Sequence, residues 1–300
     1  MGNRREFLQQ AVIALGAGAA MPLPLRAGAA RSATLFDRAG EARPPSGADR
    51  IEALGVQLYT VRTLMQQDVE RTLARVSEVG YREVEFAGYF GRTPAQVRAA
   101  LEAAGLVAPS THIGLADLLP ANLPRVLDAA HVMGQQWLVL AWTNPAQRKN
   151  VDDWKRMADR MLDAAELAKP ASVRVAYHNH DYEWTPLPGG VVPYDLLLEQ
   201  TRGSTVAFEM DLCWITKAGR DPMAYWLKWP ERFPMVHVKD AVFAPAFAMK
   251  DVGAGTMNWK GLFKEHVQAG IEHYFVEHDE PADPIASITA SAKYLRALTF

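Results

Sequence analysis

From Leu54 to the carboxyl end the chain alternates between two kinds of segment, and it completes the alternation eight times. Short apolar, β-branched runs predict strands near Gly55–Thr60, Glu83–Ala87, Ala108–His112, Trp137–Ala141, Val173–His178, Val206–Asp211, Met235–Lys239 and Tyr274–Glu277. Amphipathic patterns between them predict helices near Asp68–Val79, Pro94–Ala104, Asn122–Met133, Val151–Ala168, Tyr194–Gln200, Pro222–Trp229, Trp259–Ala269 and Pro284–Ala297. Thr93-Pro94 and Asp221-Pro222 each set an N-cap residue before a proline at the first helical position. Gly80, Gly105, Gly134 and Gly270 stand where helices should close. Eight strand-helix units with short connections predict an α/β fold of the closed (β/α)8 TIM barrel type. The competing fold is a doubly wound open sheet, but no Gly-x-Gly-x-x-Gly turn follows the first strand.

A chain of 300 residues, 49% of them hydrophobic, supports one sizeable core, so residues 51–300 are expected to form one domain. The net charge of -2 shows no basic excess, which argues against nucleic acid as the main partner. The amino end differs in kind: paired Arg4 and Arg5 precede an Ala/Gly-rich apolar run from Ala11 to Leu25 and an A-x-A site at Ala27-Gly28-Ala29. This pattern predicts a twin-arginine signal over 1–29, engagement of the Tat export machinery and a periplasmic mature chain starting near Ala30. The alternative, a membrane anchor, is weakened by the shortness of the run and by Pro22 and Pro24. Residues 30–50 are expected to be a disordered tether. Cys213 is the only cysteine, so no internal disulfide can form.

In a TIM barrel chemistry belongs at the carboxyl ends of the strands. Glu85, His112, His178 with His180, Asp211, His237 and Glu277 all fall at or near such ends. The last four strands finish in His178 or His180, Asp211, His237 and Glu277, a mixed imidazole and carboxylate set that suits one divalent ion such as Mn, Co, Fe or Zn. Residues two apart on a strand share a face, so His178 and His180 can both serve the pocket, or one of them can be a hydrogen-bonded supporting histidine. Lys239 shares a face with His237 and is a candidate oxyanion stabiliser, or else an ion-pair partner of Asp240 or Glu209. Glu85 is a candidate acid or hydroxyl binder, or a carboxylate paired with an arginine at the barrel mouth. His112 divides the same way between substrate and structure, and Glu183 is a reserve carboxylate near strand five. Among the aromatics at strand ends, Trp184 and Trp214 are the candidate sugar platforms. The loop from Asp251 to Trp259, with paired glycines and no phosphate-loop lysine, reads as a mobile lid.

The segments LGVQLYTVR (Leu54 to Arg62), GYREVEFAG (Gly80 to Gly88), STHIGL (Ser110 to Leu115), YHNHDYEW (Tyr177 to Trp184), MDLCW (Met210 to Trp214), GRDP (Gly219 to Pro222), HVKD (His237 to Asp240) and VEHDE (Val276 to Glu280) occur in strand order. With them the chain resembles the xylose isomerase-like barrels of the sugar phosphate isomerase/epimerase family, in its exported branch. The resemblance implies a divalent metal that holds a sugar's oxygens, and proton transfer beside a carbonyl through an enediolate. It places family ligands on Asp211, His237 and Glu277. The fourth family ligand is commonly a glutamate in the epimerases, and here His178, or His180, stands in its place. With one metal-side glutamate instead of two, β-elimination from a keto sugar suits the residues better than two-base epimerisation. Two other outcomes stay open: a non-catalytic sugar-binding barrel, and an abasic-site endonuclease, against which the acidic balance and the scarcity of further ligands count.

Overall fold

The eight apolar runs form parallel strands that pair with their sequence neighbours until the sheet meets itself. In the computed structural model, which describes residues 50–265 and 269–300, the barrel strands are β1 (Leu54–Gln57), β2 (Glu83–Phe86), β3 (Val107–Gly114), β4 (Trp137–Trp142), β5 (Arg174–His178), β6 (Ala207–Asp211), β7 (Met235–Val238) and β10 (His273–Val276). Closure is made by β1 against β10, with Val56 opposite Val276. The expected TIM barrel is therefore present. The signal and the tether to residue 49 lie outside the described residues. Among those described, no helix is long and apolar enough to cross a membrane.

Local chemistry sets the helix ends where the sequence predicts them. Thr93 and Gln96 form a reciprocal capping box ahead of Pro94–Ala104, and Asp221 accepts from Met223 N–H at the start of Pro222–Lys228. Gly80, Gly105 and Gly134 close their helices with positive φ. Besides four 3-10 turns, two short helices and a hairpin among the described residues fall outside the predicted pattern. A short helix, Arg62–Gln67, follows β1, another, Leu212–Lys217, starts directly off Asp211, and an antiparallel hairpin of β8 (Asp240–Val242) and β9 (Ala248–Lys250) follows β7. The helix expected over Trp259–Ala269 is described as helical for Trp259–Phe263; residues 266–268 of that span lie outside the described residues.

The segment from Asp251 to Trp259 is packed down. Asp240 accepts from the backbone N–H of Gly253 (2.9 Å) and Met257 (3.2 Å) and from Trp259 Nε1 (3.0 Å), and Val252 is buried. This replaces the expected mobile lid: three donors on one buried carboxylate pin the segment at its base.

Inside the barrel, composition changes with height. Trp137, Val139, Ala176, Ala207, Met235 and Phe275 form an apolar plug low in the lumen. Gly55 is part of that fit, because a β-carbon there would stand 2.5 Å from the Phe275 ring. Above the plug the inward residues turn polar: Gln57, Glu85, Ser110, His112, His178, Glu209, Asp211 and His237, all buried. Such groups are costly without partners, so their pairing is the central fact of the site.

Candidate metal centre

Alternation along each strand builds the polar region in two storeys. Glu209 lies below Asp211 on β6, His237 below Lys239 on β7, and His178 ends β5 with His180 just beyond.

The lower storey is a network around two carboxylates. Gln57 Nε2 donates to Glu85 Oε2 at 2.7 Å and Ser110 Oγ donates to Oε1 at 2.6 Å. His237 Nε2 and His112 Nε2 lie 2.7 and 3.0 Å from Glu85 Oε2. Glu209 Oε2 receives three imidazole nitrogens: His112 Nε2 at 2.9 Å, His178 Nδ1 at 3.0 Å and His237 Nε2 at 3.1 Å. Burial alone would raise the pKa of Glu85, but the rings of His112 and His237 outweigh it and hold the carboxyl well below its ordinary range. Burial opposes charge on His112 too, yet Glu85 and Glu209 raise its pKa; for His237, Glu209 and Glu277 overcome burial and raise it well above the ordinary value.

The upper storey surrounds an ammonium. Lys239 Nζ, fully buried, is 3.0 Å from Asp211 Oδ2, 2.8 Å from Glu277 Oε2 and 3.0 Å from Asp279 Oδ1. Neither Asp240 nor Glu209, the two partners that the sequence suggests for Lys239, takes this place. Asp211 Oδ1 caps the helix Leu212–Lys217 by accepting from Cys213 and Trp214 N–H, which leaves Oδ2 turned to the lumen, 3.9 Å from His178 Nε2. Glu277 Oε2 is 2.7 Å from His237 Nδ1. Burial raises the pKa of Asp211 against the pull of Lys239 and His237.

Two groups of donors here lie within 4.8 Å of one another: His112, His178, Glu209 and His237, and Asp211, His237 and Glu277. In the first, three nitrogens converge on one oxygen at 2.9–3.1 Å. Ligands about 2.0–2.2 Å from a tetrahedral ion stand about 3.4 Å apart, so these are hydrogen-bond separations, as is the 2.7 Å between His237 Nδ1 and Glu277 Oε2 in the second group. The groups differ in their donors: the first offers one shared oxygen to three nitrogens, whereas the second, extended by His178 Nε2, offers two imidazoles and two separate carboxylates with no thiolate, a set whose chemistry fits a divalent cation. Glu85, Glu209, Asp211 and Glu277 are buried, with Asp279 at the rim. Lys239 and the imidazoles of His112 and His237, whose pKa these carboxylates raise, supply cationic charge to them, and a divalent cation would displace the proton of His237.

The remaining candidates separate cleanly. His180, 9% exposed, stands at the mouth, its ring stacked on Tyr182 and 6.2 Å from Trp214. Trp214 is part-exposed there, stacked on Phe247 of the β8–β9 hairpin, with Lys239 Nζ 5.5 Å from its ring. Trp184 is not at the mouth. It is buried against Tyr194, and its Nε1 donates to Tyr225 Oη at 2.7 Å, so it packs the outer layer and cannot be a sugar platform. Glu85 is sealed and fully bonded by histidines, glutamine and serine, with no arginine, which makes it a positioning residue instead of an acid. Glu183 turns outward: it accepts from Tyr177 Oη at 2.8 Å and from His180 N–H at 2.9 Å, and burial raises its pKa to about 7. Glu209 was overlooked as a site residue. A signal existed, since two acids at i and i+2 inside the apolar run AFEMD must both face the lumen.

No match was found among curated protein sequences. A sugar phosphate isomerase/epimerase from Parabacteroides distasonis is 26% identical, with a TM-score of 0.69 over 84% of this chain and 96% of that one. A probable 3-DHS dehydratase from Bacillus anthracis shares the fold at 13% identity, TM-score 0.63, over 81% and 98% of the two chains. A xylose isomerase-like TIM barrel protein from Mycobacterium smegmatis, solved in complex with magnesium, does so at 13% identity, TM-score 0.61, over 82% and 95%. The family description "Xylose isomerase-like TIM barrel" matches residues 73–298, which take in every strand from β2 to β10 and all of the lumenal site except Gln57. With the closed barrel and its strand-end donors, that match settles descent: the chain belongs to the xylose isomerase-like TIM barrel family.

Proposed function

We propose that this chain is a divalent-metal enzyme acting on a non-phosphorylated sugar, keto sugar or glycoside, by elimination of a group β to a carbonyl. The observation that carries it is the convergence of His178 Nε2, Asp211 Oδ2, His237 Nδ1 and Glu277 Oε2 beside the Lys239 ammonium, at the carboxyl end of the barrel. These four residues would hold the ion, which when bound supplies Lewis-acid polarisation of adjacent substrate oxygens. Relatives named for isomerase/epimerase and dehydratase activity support the class.

Within that frame the residues divide the chemistry, and Glu277 serves both as a ligand and as the base. Glu277 removes the proton α to the substrate carbonyl. The electron pair left on that carbon forms the new double bond as the β carbon–oxygen bond breaks, and His180, on the open side, protonates the departing oxygen. Lys239 steadies negative charge that gathers on the carbonyl oxygen. Strand five brings an imidazole where a second base would stand, and the carboxylates around it are committed: Glu209 to His178 Nδ1 at 3.0 Å, and Glu183 to Tyr177 and to the His180 backbone. That favours elimination over epimerisation, the alternative chemistry.

A substrate without phosphate is supported by the engagement of the basic groups at the mouth. Lys217 pairs with Asp181 at 2.8 Å, Arg148 lies over the Tyr182 ring, and Arg62 donates to the carbonyls of Tyr59 and Asp279. The export signal belongs to the same proposal; fractionation and amino-terminal sequencing should find a periplasmic chain starting near Ala30.

The test is elemental analysis of protein purified without chelator, beside Asp211→Ala and His237→Ala. About one Mn, Co, Fe or Zn per chain in wild type and loss in both variants is expected. Keto glycosides are then screened for elimination, with Glu277→Gln expected to bind them without turnover. A wild type that refuses every metal on titration refutes the metal site; turnover surviving in Glu277→Gln refutes its role as base; and binding with no turnover in wild type favours the sugar-binding barrel.

A further inference from the structure

We infer that Glu209 is a positioning residue that selects which nitrogen of His178 is presented to the cation. The inference rests on the metal site proposed above. A neutral imidazole carries one N–H and one lone pair, and the best acceptor beside the ring decides which nitrogen keeps the hydrogen. A carboxylate oxygen only accepts. Glu209 Oε2, 3.0 Å from His178 Nδ1, therefore places the hydrogen there. His237 is not selected in this way, because carboxylates face both of its nitrogens: Glu85 and Glu209 at Nε2 and Glu277 at Nδ1.

The lone pair then falls on His178 Nε2. That atom faces the upper storey, 3.9 Å from Asp211 Oδ2. Topology explains how: β6 lies between β5 and β7, and it carries the acceptor Glu209 two residues below the ligand Asp211. His112 completes the arrangement. Its Nε2 also lies 2.9 Å from Glu209 Oε2, and its ring is 5.1 Å from that of His178. Reversing the His178 ring would point an N–H at the cation and a lone pair at Glu209, two repulsions at once.

Ring-nitrogen NMR of the full chain labelled with 15N-histidine tests this, metal-free and after zinc addition, at about pH 8, where ordinary histidines are neutral. The expected spectrum shows His178 protonated at Nδ1 in both states, with zinc on His178 Nε2. Glu209→Gln, which can turn an NH2 toward the rings, should weaken zinc binding about 10–100-fold in competition with a chelating dye. A wild-type His178 with bare Nδ1, or zinc affinity unchanged in a folded Glu209→Gln, overturns the inference. If the variant does not fold, the wild-type spectra decide. If wild type takes no zinc, the proposed function falls separately, while protonated Nδ1 in the metal-free spectrum still upholds the role of Glu209.

Discussion

Replacing Glu183 by glutamine should change the pH dependence of stability in a direction that the structure fixes. Burial raises this carboxyl from 4.5 to about 7, while the hydrogen bond from Tyr177 pulls the other way. In the unfolded chain it ionises near its ordinary value. The native state thus holds a proton that the unfolded state has released, and between about pH 4.5 and 7 the native state loses stability as pH rises. Below that window both states are protonated; above it the full loss has been incurred. A difference of about 2.5 pH units corresponds to about 3 kcal/mol at most. For a barrel of this size that is a Tm change of roughly 6–12 °C. Glutamine does not titrate, and it can still accept from His180 N–H while its amide donates to Tyr177 Oη. Any bond it makes poorly adds an offset that is the same at every pH. Thermal unfolding of both proteins from pH 4 to pH 8 at fixed ionic strength isolates the effect, because all other groups are shared. The variant should gain on wild type steadily from pH 4 to 7 and then hold its lead. A gap that is flat with pH, or that closes toward pH 8, refutes the reasoning.

Lys239→Met leaves Asp211, Glu277 and Asp279 facing one another without their ammonium, so denaturant unfolding should show a loss of about 3–5 kcal/mol that added divalent metal reduces. The two tryptophans should part company: Trp184→Ala, a core truncation, should cost about 3–5 kcal/mol, whereas Trp214→Ala should spare Tm and raise KM once a substrate is in hand. His178→Glu, which restores the family's strand-five carboxylate, should destabilise the chain by setting two carboxylates against each other. Addition of Glu209→Gln should recover most of that loss, and a double-mutant cycle on unfolding midpoints measures the coupling.

The fold was legible because its pattern repeats. Eight alternations carry redundant information, and residues such as Pro94, Pro222, Gly80 and Gly134 fix boundaries by backbone chemistry that context seldom overrides. The positions of His178, Asp211, His237 and Glu277 were legible for a related reason: strand ends in a barrel converge by topology. The β8–β9 hairpin was missed because Asp240–Val242 follows β7 after a single residue, and a three-residue strand has no period to detect. Trp184 was misplaced because a 3-10 turn after Asp181 reverses the alternation that would have kept it facing the lumen, and rotates it onto Tyr194. Glu85 and Glu209 were misjudged for a different reason. Sequence reading asks what a carboxylate does to a substrate, whereas these two answer to the imidazoles behind which they stand.

That last point bears on why strand five ends in a histidine at all. A glutamate ligand carries its own charge and needs nothing beneath it, but an imidazole ligand is neutral and two-faced. It must be told which nitrogen to offer. Substituting histidine for glutamate therefore removes one negative charge from the upper storey and creates a demand for an acceptor in the lower one. Glu209 meets that demand from the neighbouring strand, 3.0 Å from His178 Nδ1. The charge lost above reappears below, out of reach of the substrate. Under the elimination proposed above, such a transfer would keep the lumen's charge for holding a cation while withdrawing a base from one face of the site, which would leave Glu277 to take the proton away with no base opposite to return it.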